Sequence, residues 1–328
     1  MKVSFIIPVL NEEKTLASTL DSLVAVDYPN KEIILAVCDL NGVSGKIAES
    51  YAKKYPFIKT VNNITGNTAI GRNICIEHSS GELLMNYSGH VLAERNLLSL
   101  LVGKLKSMPD DVASVGCSNI FPDKQGFVGR SSGLAFLCVM GGKGLFSQNA
   151  SYPDERFVDH VSFACYRREA VESVGGFDTV FWCGQDYEMD IRLRKAGYKI
   201  LYTPDTRVYH HKRDTLYGLF KQMYRYGVAR AKICLKHPDT FRVFHLFGSV
   251  FIVGFLVLLL FGWEFLPFFV LLYCILSWLS TLWKADSTMV LLLIPLFYFI
   301  IHTGYGLGFI RGLLFKKPFR DRVWGAFS

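Results

Sequence analysis

Over the first 210 residues, short apolar runs alternate with stretches in which apolar residues recur at helical spacing. Residues 3–8 and 32–38 are apolar runs typical of buried parallel strands, and Leu16, Leu20 and Leu23 recur as on one face of a helix. Similar patterns predict strands at 58–61, 82–85, 161–166, 199–202 and 208–210, and helices at 46–54, 168–174 and 186–196. This alternation predicts an α/β domain with a mostly parallel sheet and a ligand site beyond the carboxyl ends of its strands.

Two segments depart from this alternation. Residues 112–150 are irregular and rich in Gly and Ser between Gly126 and Gly144, which predicts a loop or a lid over the ligand site. Residues 215–234 show an amphipathic helical pattern with many basic side chains, a form suited to lying in the plane of a membrane interface.

A long apolar stretch then extends from Val243 to Ile310, in which the only ionisable carboxylates and amines are Glu264, Lys284 and Asp286. Its three runs, each near the ~20 residues that cross a bilayer core of about 30 Å, lie at 244–262, 265–283 and 288–310. Because the runs are apolar all round, membrane helices are favoured over a buried helical core. The predicted organisation is a domain at 1–235 that ends in an interfacial helix at about 213–235, membrane helices at 243–311 and a basic tail at 312–328.

The charges are distributed unevenly along the chain, whose net charge is +8. Residues 1–206 carry 21 Lys and Arg against 23 Asp and Glu, whereas residues 207–242, the basic segment, carry nine against two. The basic segment indicates a cytoplasmic position, attraction to anionic headgroups or contact with anionic substrates. Nucleic-acid binding is disfavoured because residues 1–206 have no excess of basic side chains. The eight cysteines form no CxxC pair, which is typical of reduced thiols in the cytosol.

The predicted membrane topology contains a conflict. If the basic segment is cytoplasmic, three crossings place the tail after Ile310 outside, yet the tail is basic too. Its basic residues are Arg311, Lys316, Lys317, Arg320 and Arg322. Either the positive-inside rule fails or one run does not span, and we expect the third run, with Pro295 and glycines at 304, 306 and 308, to bend back. We predict a multi-pass protein of the cell membrane whose N-terminal domain is cytoplasmic.

Five short motifs follow one another along the N-terminal domain. They are Pro-Val-Leu-Asn-Glu-Glu at 8–13, an aspartate at 39, Gly-Arg-Asn at 71–73, Gly-Gln-Asp-Tyr-Glu at 184–188 and Gln-Met-Tyr-Arg-Tyr at 222–226. In this order they resemble the family 2 glycosyltransferases over about residues 3–235, together with the membrane tail that many members carry. Residues 158–186 are most similar to a subgroup typified by a bacterial succinoglycan glucosyltransferase. The resemblance implies a GT-A fold, a Rossmann-like α/β domain that binds a nucleotide-sugar donor.

The donor site implied by the resemblance begins at Pro8, Asn11 and Glu12. Asn11 and Glu12 would hydrogen-bond the nucleoside or cap the first helix. Asp39 follows the second strand, where a carboxylate for the base and ribose is expected, although an aspartate that shapes a turn or caps a helix gives the same pattern. Arg72 would pair with phosphate oxygens or hold Asp39 by a bidentate contact. The sequence leaves these alternatives open.

The implied metal site departs from the family pattern, in which a strand usually ends in Asp-x-Asp. Here Ser88, which we assign to the donor site, takes the place of the first aspartate, and His90 takes the place of the second. His210 or His211 is a further candidate ligand, unless these histidines only face the membrane interface. Loss of a carboxylate should favour Mn²⁺ over Mg²⁺, because Mn²⁺ accepts imidazole more readily. The basic segment could also take over part of the charge neutralisation.

Asp186 is the predicted catalytic base. It opens a helix, where the N-terminal dipole favours a carboxylate, and repulsion among Asp186, Glu188 and Asp190 should keep one of the three basic. The resemblance implies that Asp186 takes the proton of the acceptor hydroxyl in one in-line displacement. Glu188 and Asp190 fit exposed helix charges better. Gln185, in place of the usual Glu, could orient a hydroxyl, and Asp159 is expected on the acceptor and diphosphate side.

Gln222, Arg225 and Tyr226 are similar to the Gln-x-x-Arg-Trp signature of membrane-bound synthases in the family. The resemblance implies that the aromatic ring lies by the acceptor sugar and that the arginine stabilises charge on the departing diphosphate. An interfacial helix with Tyr217, Tyr224 and Tyr226 as an aromatic belt would give the same pattern.

Together the motifs predict an inverting glycosyltransferase that uses a divalent cation, Mn²⁺ or Mg²⁺. It would move a sugar from a nucleotide-sugar donor to a lipid-linked or membrane-associated glycan at the cytoplasmic membrane face. The alternative, favoured by Ser88 and Gln185, is a non-catalytic GT-A-like module that binds a sugar nucleotide or scaffolds a membrane complex. A nicotinamide-dependent dehydrogenase is disfavoured because no G-x-G-x-x-G follows the first strand.

Overall fold

The computed structural model describes residues 1–122, 125–142, 152–285 and 287–315 of the chain. They divide into two compact units, a first unit of residues 1–120 and 152–210 and a second unit of residues 121–142, 211–285 and 287–315. The predicted basic tail beyond residue 315 and residues 143–150 of the predicted lid lie outside the described residues.

The first unit contains a mixed β-sheet. Within the described residues its strands are β1 (Val3–Val9), β2 (Lys31–Val37), β3 (Ile58–Asn62), β4 (Leu83–Asn86), β5 (Val91–Ala93), β6 (Val112–Ile120), β7 (Arg156–Phe157), β8 (Cys165–Arg167) and β9 (Lys199–His210). Their order across the sheet is β3-β2-β1-β4-β8-β6-β9-β5, and β7 pairs with β9. The β3-β2-β1-β4 half is parallel, as are β6 and β9, whereas β5, β7 and β8 run antiparallel to their neighbours.

Helices cover the sheet and form the second unit. In chain order they are α1 (Leu16–Val24), α2 (Val43–Lys54), α3 (Thr68–Glu77), α4 (Leu97–Ser107), α5 (Phe127–Phe136), α6 (Arg168–Ser173), α7 (Gln185–Lys195), α8 (Leu216–Lys236), α9 (Phe247–Phe261), α10 (Leu266–Thr281) and α11 (Thr288–Leu314). Of these, α5 and α8 to α11 belong to the second unit. All residues of β1 are buried, as expected for an apolar strand that lies between β2 and β4.

The predicted lid is wrong for the described residues between 112 and 142. Residues 112–120 form strand β6, which pairs with β8 and β9, and residues 127–136 form helix α5. Gly116 lies within this strand, and packing explains why it is a glycine, because a Cβ at this position would lie 2.5 Å from the side chain of Val161. The small residue in β6 therefore makes room for the Val161 side chain and does not indicate a loop.

The two strands predicted at 199–202 and 208–210 are one strand, β9. Its register against β6 shifts between Cys117 and Ser118, which are opposite Thr203 and Arg207. A bulge of this kind interrupts the polarity pattern while the strand continues. Strand β5 and helix α4 lie in a region for which the pattern yields no assignment.

The three apolar runs form helices of the second unit. Within the described residues, the segments Val243–Phe261, Trp263–Thr281 and Thr288–Leu314 are long and apolar enough to cross a membrane. The expectation that the third run bends back is wrong, because α11 continues through Pro295 as a single helix of 27 residues.

Helices α8 and α11 pack side by side at very short range. A Cβ at Gly308 would lie 2.0 Å from the carbonyl oxygen of Tyr224, and a Cβ at Gly312 would lie 2.8 Å from that of Val228. Residue numbers rise together along both helices, so the two run parallel. The glycines of α11 thus allow close backbone approach, which is the use of small residues between packed membrane helices.

Candidate functional site

Polar side chains gather beyond the carboxyl ends of β1, β2 and β4. Asn11 and Glu12 follow β1, Asp39 follows β2, and Ser88 and His90 follow β4. Because these strands are parallel, their carboxyl ends share one edge of the sheet, which is the usual ligand site of an open α/β sheet.

Helix capping does not account for the residues after β1. Thr15 is the N-cap residue of α1, whereas Asn11 is exposed and has a φ of 53°. Pro8 is buried within β1, and a Cβ at Gly71 of α3 would lie 3.0 Å from Cβ of Pro8. Pro8 therefore shapes the end of the strand by packing against α3.

Glu12 and His90 form a hydrogen-bonded pair. Oε1 of Glu12 lies 2.7 Å from Nδ1 of His90, and Oε2 accepts from the Thr15 hydroxyl at 3.1 Å. A Cβ at Gly89 would lie 3.0 Å from Cγ of Glu12, so this glycine leaves the room that the carboxylate occupies. A carboxylate accepts from a protonated Nδ1, which leaves the lone pair of a neutral imidazole on Nε2. Carboxylates orient metal-binding histidines in the same way.

His210 lies directly against His90. Strand pairing places His210 opposite Val91, and the two imidazoles stack with ring centroids 5.0 Å apart. Phe163 meets the His210 ring edge to face, with centroids 5.4 Å apart. His211, the other candidate ligand, belongs to the second unit. In the part of the chain that the structure describes, no group of three or more His, Cys, Asp or Glu side chains is arranged to hold a metal ion.

Backbone strain occurs beside this histidine pair. Phe163 has a φ of 55°, and for a bulky residue a left-handed conformation costs on the order of 1–3 kcal/mol. The Phe163 ring is buried and also packs against Tyr87, with centroids 5.7 Å apart. Tight packing on both sides therefore holds Phe163, and through it the His210 ring, in one position.

Arg72 is a buried arginine of α3 with a hydrogen-bond donor left over. Its Nε donates to Oδ1 of Asn86 at the end of β4 at 2.5 Å, and its guanidinium lies 5.4 Å from the centroid of Phe177. Nη1 is buried and has no hydrogen-bond partner among the described residues. Burial lowers the pKa of the Arg72 guanidinium, and the Asp186 carboxylate opposes that shift. An arginine held in this way suits a phosphate oxygen.

Asp39 shapes the turn that leads into α2. Its Oδ1 accepts from the backbone nitrogens of Asn41 and Gly42, both at 3.0 Å, and the side chain is exposed. The turn therefore uses only one of the two carboxylate oxygens, so it does not exclude a ligand contact through the other.

Asp186 lies half-buried in the first turn of α7. Beside it, Gln185 is buried, and its Nε2 donates to the Thr68 hydroxyl at 3.1 Å, which itself donates to the carbonyl oxygen of Trp182 at 2.9 Å. These bonds tie the start of α7 to the start of α3, the helix that carries Arg72. Gln185 thus holds in place the helix turn that presents Asp186.

The expectation that Glu188 and Asp190 are exposed helix charges is wrong, because both side chains are fully buried. Glu188 forms an ion pair with Arg192 at 2.8 Å, and the same guanidinium donates to the carbonyl oxygen of Gly176 at 2.7 Å. A buried carboxylate needs such partners, since the loss of hydration is otherwise uncompensated. Of the three carboxylates at the start of α7, only Asp186 is partly open to solvent.

His160 is a buried residue to which the sequence pattern assigns no role. Its Nδ1 lies 2.6 Å from Oδ2 of Asp190, whose Oδ1 accepts from the Tyr166 hydroxyl at 2.9 Å. The neighbouring Asp159 instead has an exposed side chain that pairs with Arg194, 3.0 Å away, in the last turn of α7. The structure therefore brings His160 to the first turns of α7 and leaves Asp159 on the surface. The sequence signal that could have identified His160 is its position within residues 158–186, the segment that resembles the succinoglycan subgroup.

Gln222, Arg225 and Tyr226 lie on α8 in the second unit. Nε2 of Gln222 donates to the Tyr226 hydroxyl at 3.3 Å, one helical turn away. Tyr226 packs against the apolar cluster that α8 shares with α11, whereas Tyr217 is exposed. The assignments of this motif to the acceptor and diphosphate, or to an aromatic belt, stay predictions.

Two relatives resemble the chain over most of its length. The Methanococcus voltae dolichyl N-acetyl-alpha-D-glucosaminyl phosphate 3-beta-D-2,3-diacetamido-2,3-dideoxy-beta-D-glucuronosyltransferase is 25% identical over 321 residues, which are 95% of this chain and 97% of that protein. The succinoglycan biosynthesis protein ExoA of Rhizobium meliloti is 27% identical over 239 residues, which are 71% of this chain and 70% of that protein. The predicted similarity to the succinoglycan subgroup is thereby confirmed.

A solved structure and two family profiles agree with these relatives. The mannosyltransferase PcManGT from Pyrobaculum calidifontis, in complex with GDP-Man and Mn²⁺, superimposes with a TM-score of 0.62 at 16% identity and covers 96% of this chain and 88% of that one. This match confirms the predicted GT-A fold. Residues 4–175 match the profile described as Glycosyl transferase family 2, and residues 94–304 match Glycosyl transferase family group 2. Since the first profile covers more than half of its length, the chain belongs to glycosyl transferase family 2 and is a glycosyltransferase.

Proposed function

We propose that this glycosyltransferase moves one sugar from a nucleotide donor, with inversion, to a lipid-linked or membrane-associated glycan at the cytoplasmic membrane face. The observation that carries the proposal is a buried arginine, Arg72, that interacts with the candidate base Asp186 and retains an unused donor atom. Two comparisons support the substrate classes. The Methanococcus relative has a dolichyl sugar phosphate in its name, and the Pyrobaculum structure contains GDP-Man.

The transfer requires a base for the acceptor and a counter-charge for the leaving group. The acceptor oxygen bonds to the anomeric carbon while the bond from that carbon to the phosphate oxygen breaks. The proton of the acceptor hydroxyl goes to Asp186, and the electron pair leaves with the nucleoside diphosphate. Arg72 donates through Nη1 to a phosphate oxygen, and the resemblance of the α8 motif supports a role for Arg225 in stabilising the departing diphosphate. Tyr226 offers an aromatic face to the acceptor sugar.

The remaining proposed donor contacts are Asn11, Asp39 and Ser88. Asp39 would use the carboxylate oxygen that its turn leaves over, and the exposed Asn11 would reach the nucleoside. Asp159 is not among the proposed contacts, because its exposed side chain is paired with Arg194. Gln185 is proposed as a residue that positions α7, since its amide is bound to Thr68.

His90 and His210 are the residues that would hold a divalent cation. Glu12 fixes the His90 ring with its Nε2 lone pair available, and the stacked His210 supplies a second imidazole. A bound cation would neutralise charge on the donor diphosphate. Two imidazole ligands suit Mn²⁺ better than Mg²⁺, which prefers oxygen ligands in strict octahedral geometry.

Removal of divalent cations with EDTA should abolish transfer, and Mn²⁺ should restore it more fully than Mg²⁺.

Glu12→Gln should weaken Mn²⁺ binding by about 10–100-fold, the usual effect of losing a carboxylate behind a ligating histidine. Calorimetry of Mn²⁺ binding in the presence of UDP or GDP measures this effect without turnover. His78→Ala is the control, since this exposed histidine only caps α3. Full activity in EDTA, or unchanged Mn²⁺ affinity in Glu12→Gln, would contradict the proposed site.

We also propose that α8 and the end of α11 share the cytoplasmic side. The two helices run parallel, and burial lowers the pKa of Lys232 on α8, with the nearby Arg311 of α11 lowering it further. The chain that leaves the end of α8 would then return to the same side, so that two of the three apolar helices cross the membrane and one does not. This topology keeps the basic residues on both sides of the apolar helices in the cytoplasm.

A screen of radiolabelled UDP-sugars and GDP-sugars tests the proposed function. Membranes that contain the full chain are incubated with each donor, and lipids are extracted. Label in the lipid fraction that disappears in Asp186→Asn is the expected result. Donor binding without transfer or donor hydrolysis would favour a non-catalytic module, and label only in water-soluble glycan would exclude a lipid-linked acceptor.

A further inference from the structure

Residues 137–142, the α5 extension, are held against the apolar helices through their backbone. They follow the last residue of α5 and belong, like α10 and α11, to the second unit. Lys284, just after α10, donates from Nζ to the carbonyl oxygen of Leu137 at 2.6 Å. The nitrogen of Met140 donates to the Ser280 hydroxyl of α10 at 3.3 Å. Side chains of the apolar stretch therefore bind main-chain atoms at two points of the α5 extension.

His302 of α11 makes a third contact of this kind. Its Nε2 lies 2.7 Å from the carbonyl oxygen of Met140, and because a carbonyl oxygen only accepts, Nε2 carries the proton. Nδ1 is then free to accept from the Tyr273 hydroxyl of α10, 2.9 Å away. A neutral imidazole thus links α10, α11 and the α5 extension. An ionisable side chain inside an apolar helix is costly without such partners, so its presence indicates a specific role.

The α5 extension satisfies its carbonyl groups without water. The nitrogen of Gly141 donates to the carbonyl oxygen of Cys138 at 3.1 Å. The nitrogen of Gly142 donates to that of Val139 at 3.0 Å. Since side chains of the apolar stretch bind the other two, every carbonyl oxygen of residues 137–140 accepts a hydrogen bond. Irregular backbone is tolerated at membrane depth only when its polar groups are bonded by protein in this way.

Helix α10 has the polarity of a helix that faces lipid. Its buried residues are Ser277 and Thr281, whereas Leu276 and Leu279 are exposed. The Thr281 hydroxyl lies 2.7 Å from the Tyr298 hydroxyl of α11. Polar contacts between helices with apolar side chains outside are typical of a membrane-spanning bundle. The α5 extension is therefore bound to a helix whose outer face suits acyl chains.

Val139 is the outward-facing side chain of the α5 extension. It is 81% exposed, whereas the neighbouring Cys138 is buried in the apolar cluster that α5 shares with α11. A single exposed valine is ordinary on a surface that faces water. This one instead lies on a segment whose carbonyl groups need no water and which is bound to two apolar helices.

We propose that the α5 extension is a membrane-inserted segment, in which Val139 contacts phospholipid acyl chains and the side chains of Ser280, Lys284 and His302 hold the backbone in place. The segment lies between β6 and β7 along the chain, far from the apolar stretch in sequence. It would give the protein a membrane contact besides the apolar helices and the interfacial helix predicted at 213–235. The proposal rests on the proposed membrane position of the apolar helices and is independent of the catalytic roles proposed above.

The two contacts with α10 and its end indicate the depth of the α5 extension. Lys284 is exposed, and a lysine near the end of a membrane helix keeps its ammonium group at the interface. Ser280 lies one helical turn further into the bilayer, about 6 Å at 1.5 Å per residue. Leu137 is thereby assigned to the headgroup level and Met140 to the start of the acyl chains. If α9 and α10 are the two helices that cross, the end of α10 lies on the side where α9 begins, which is the proposed cytoplasmic side.

A photoreactive side chain at position 139 tests the proposal. p-Benzoylphenylalanine replaces Val139 in the full chain, which is reconstituted in bilayer discs that contain phospholipid with radiolabelled acyl chains and is then irradiated. Label attached to the protein is the expected result. Val250 of α9, which is 65% exposed, is the positive control. Ile64 of the first unit, an apolar residue that is 81% exposed like Val139, is the negative control.

Each outcome of this experiment decides between the alternatives. Label at 139 and 250 but not at 64 supports the proposal. No label at 139 beside clear label at 250 overturns it and leaves the membrane position of the apolar helices intact. Equal label at 139 and 64 also overturns it, because contact would then not depend on the α5 extension. No label at 250 would remove the proposed membrane position of α9 and the proposal with it.

A variant of His302 tests how the α5 extension is held. His302→Leu removes the hydrogen bonds to Met140 and Tyr273, so the α5 extension should leave the bilayer more often. The label at 139 should fall about fivefold, the effect of losing one buried hydrogen bond. Thr303→Val is the matched control, because the Thr303 hydroxyl donates within α11, at 2.6 Å to the carbonyl oxygen of Phe299.

Ser280→Ala is the second variant, for the case that His302→Leu does not fold. It removes the acceptor of the Met140 nitrogen with little change in volume, and the label at 139 should fall in the same direction. Unchanged label in folded His302→Leu, or in Ser280→Ala where only that variant folds, overturns the role of these side chains. A loss of label that Thr303→Val reproduces overturns it as well, since α11 would then be disturbed in general.

Discussion

Replacement of Asp186 with Asn should lower sugar transfer by about 10²–10⁴-fold, the contribution typical of a general base. The amide keeps the size of the side chain but cannot take the proton of the acceptor hydroxyl. Donor affinity should change little, because Arg72 and His90 are untouched. Initial rates at saturating donor measure the first effect, and calorimetry with the nucleoside diphosphate measures the second.

Asp159→Asn is the matched control for this variant. It makes the same chemical change in an exposed carboxylate that pairs with Arg194 in the last turn of α7. Exposed ion pairs contribute little, so transfer should stay within about twofold of the wild type. Wild-type transfer by Asp186→Asn would remove Asp186 from the mechanism, and equal losses in both variants would point to a general disturbance of α7.

Replacement of Gly308 with Ala should lower the free energy of unfolding of the second unit by about 1–3 kcal/mol, the usual effect of overpacking. The added Cβ would lie 2.0 Å from the carbonyl oxygen of Tyr224, and a backbone atom of a helix cannot move aside as the end of a flexible side chain can. Helix α8 would have to shift along α11 and carry Gln222 and Tyr226 with it, so transfer should fall too. Thermal unfolding of the full chain in detergent measures the loss of stability.

Gly254→Ala in α9 is the control for this effect. A Cβ at Gly254 would have no atom within 4 Å, and Ala is favoured over Gly inside a helix by about 1 kcal/mol. This variant should therefore unfold at the wild-type temperature or above it. If Gly308→Ala unfolds at the same temperature as Gly254→Ala, the close approach of α8 and α11 is not present in the protein.

The parallel half of the sheet could be predicted from sequence because its strands are short, continuous apolar runs. The runs predicted at 3–8, 32–38, 58–61 and 82–85 agree with β1 to β4 within one residue at each end. The positions of Asp39 and His90 at one edge follow from the same pattern, since parallel strands bring their carboxyl ends together.

Long-range packing decided what the sequence pattern could not show. Gly116 is small because Val161, far along the chain, fills the space beside it. Asp190 is buried because His160 and Tyr166 supply hydrogen bonds, and periodicity records which residues are polar but not which of them have partners. In the same way, a run of glycines in α11 suggests a bend until the neighbouring helix is known.

The close contact of α8 with α11 also determines where the chain can be divided. A fragment that stops at residue 235 would keep α8 but lose α11, and Leu219 and Met223, both fully buried here, would face water. Cutting the apolar helices away therefore does not yield a soluble enzyme that retains Gln222 and Tyr226. Biochemical work on the complete set of candidate site residues therefore requires the chain together with its apolar helices.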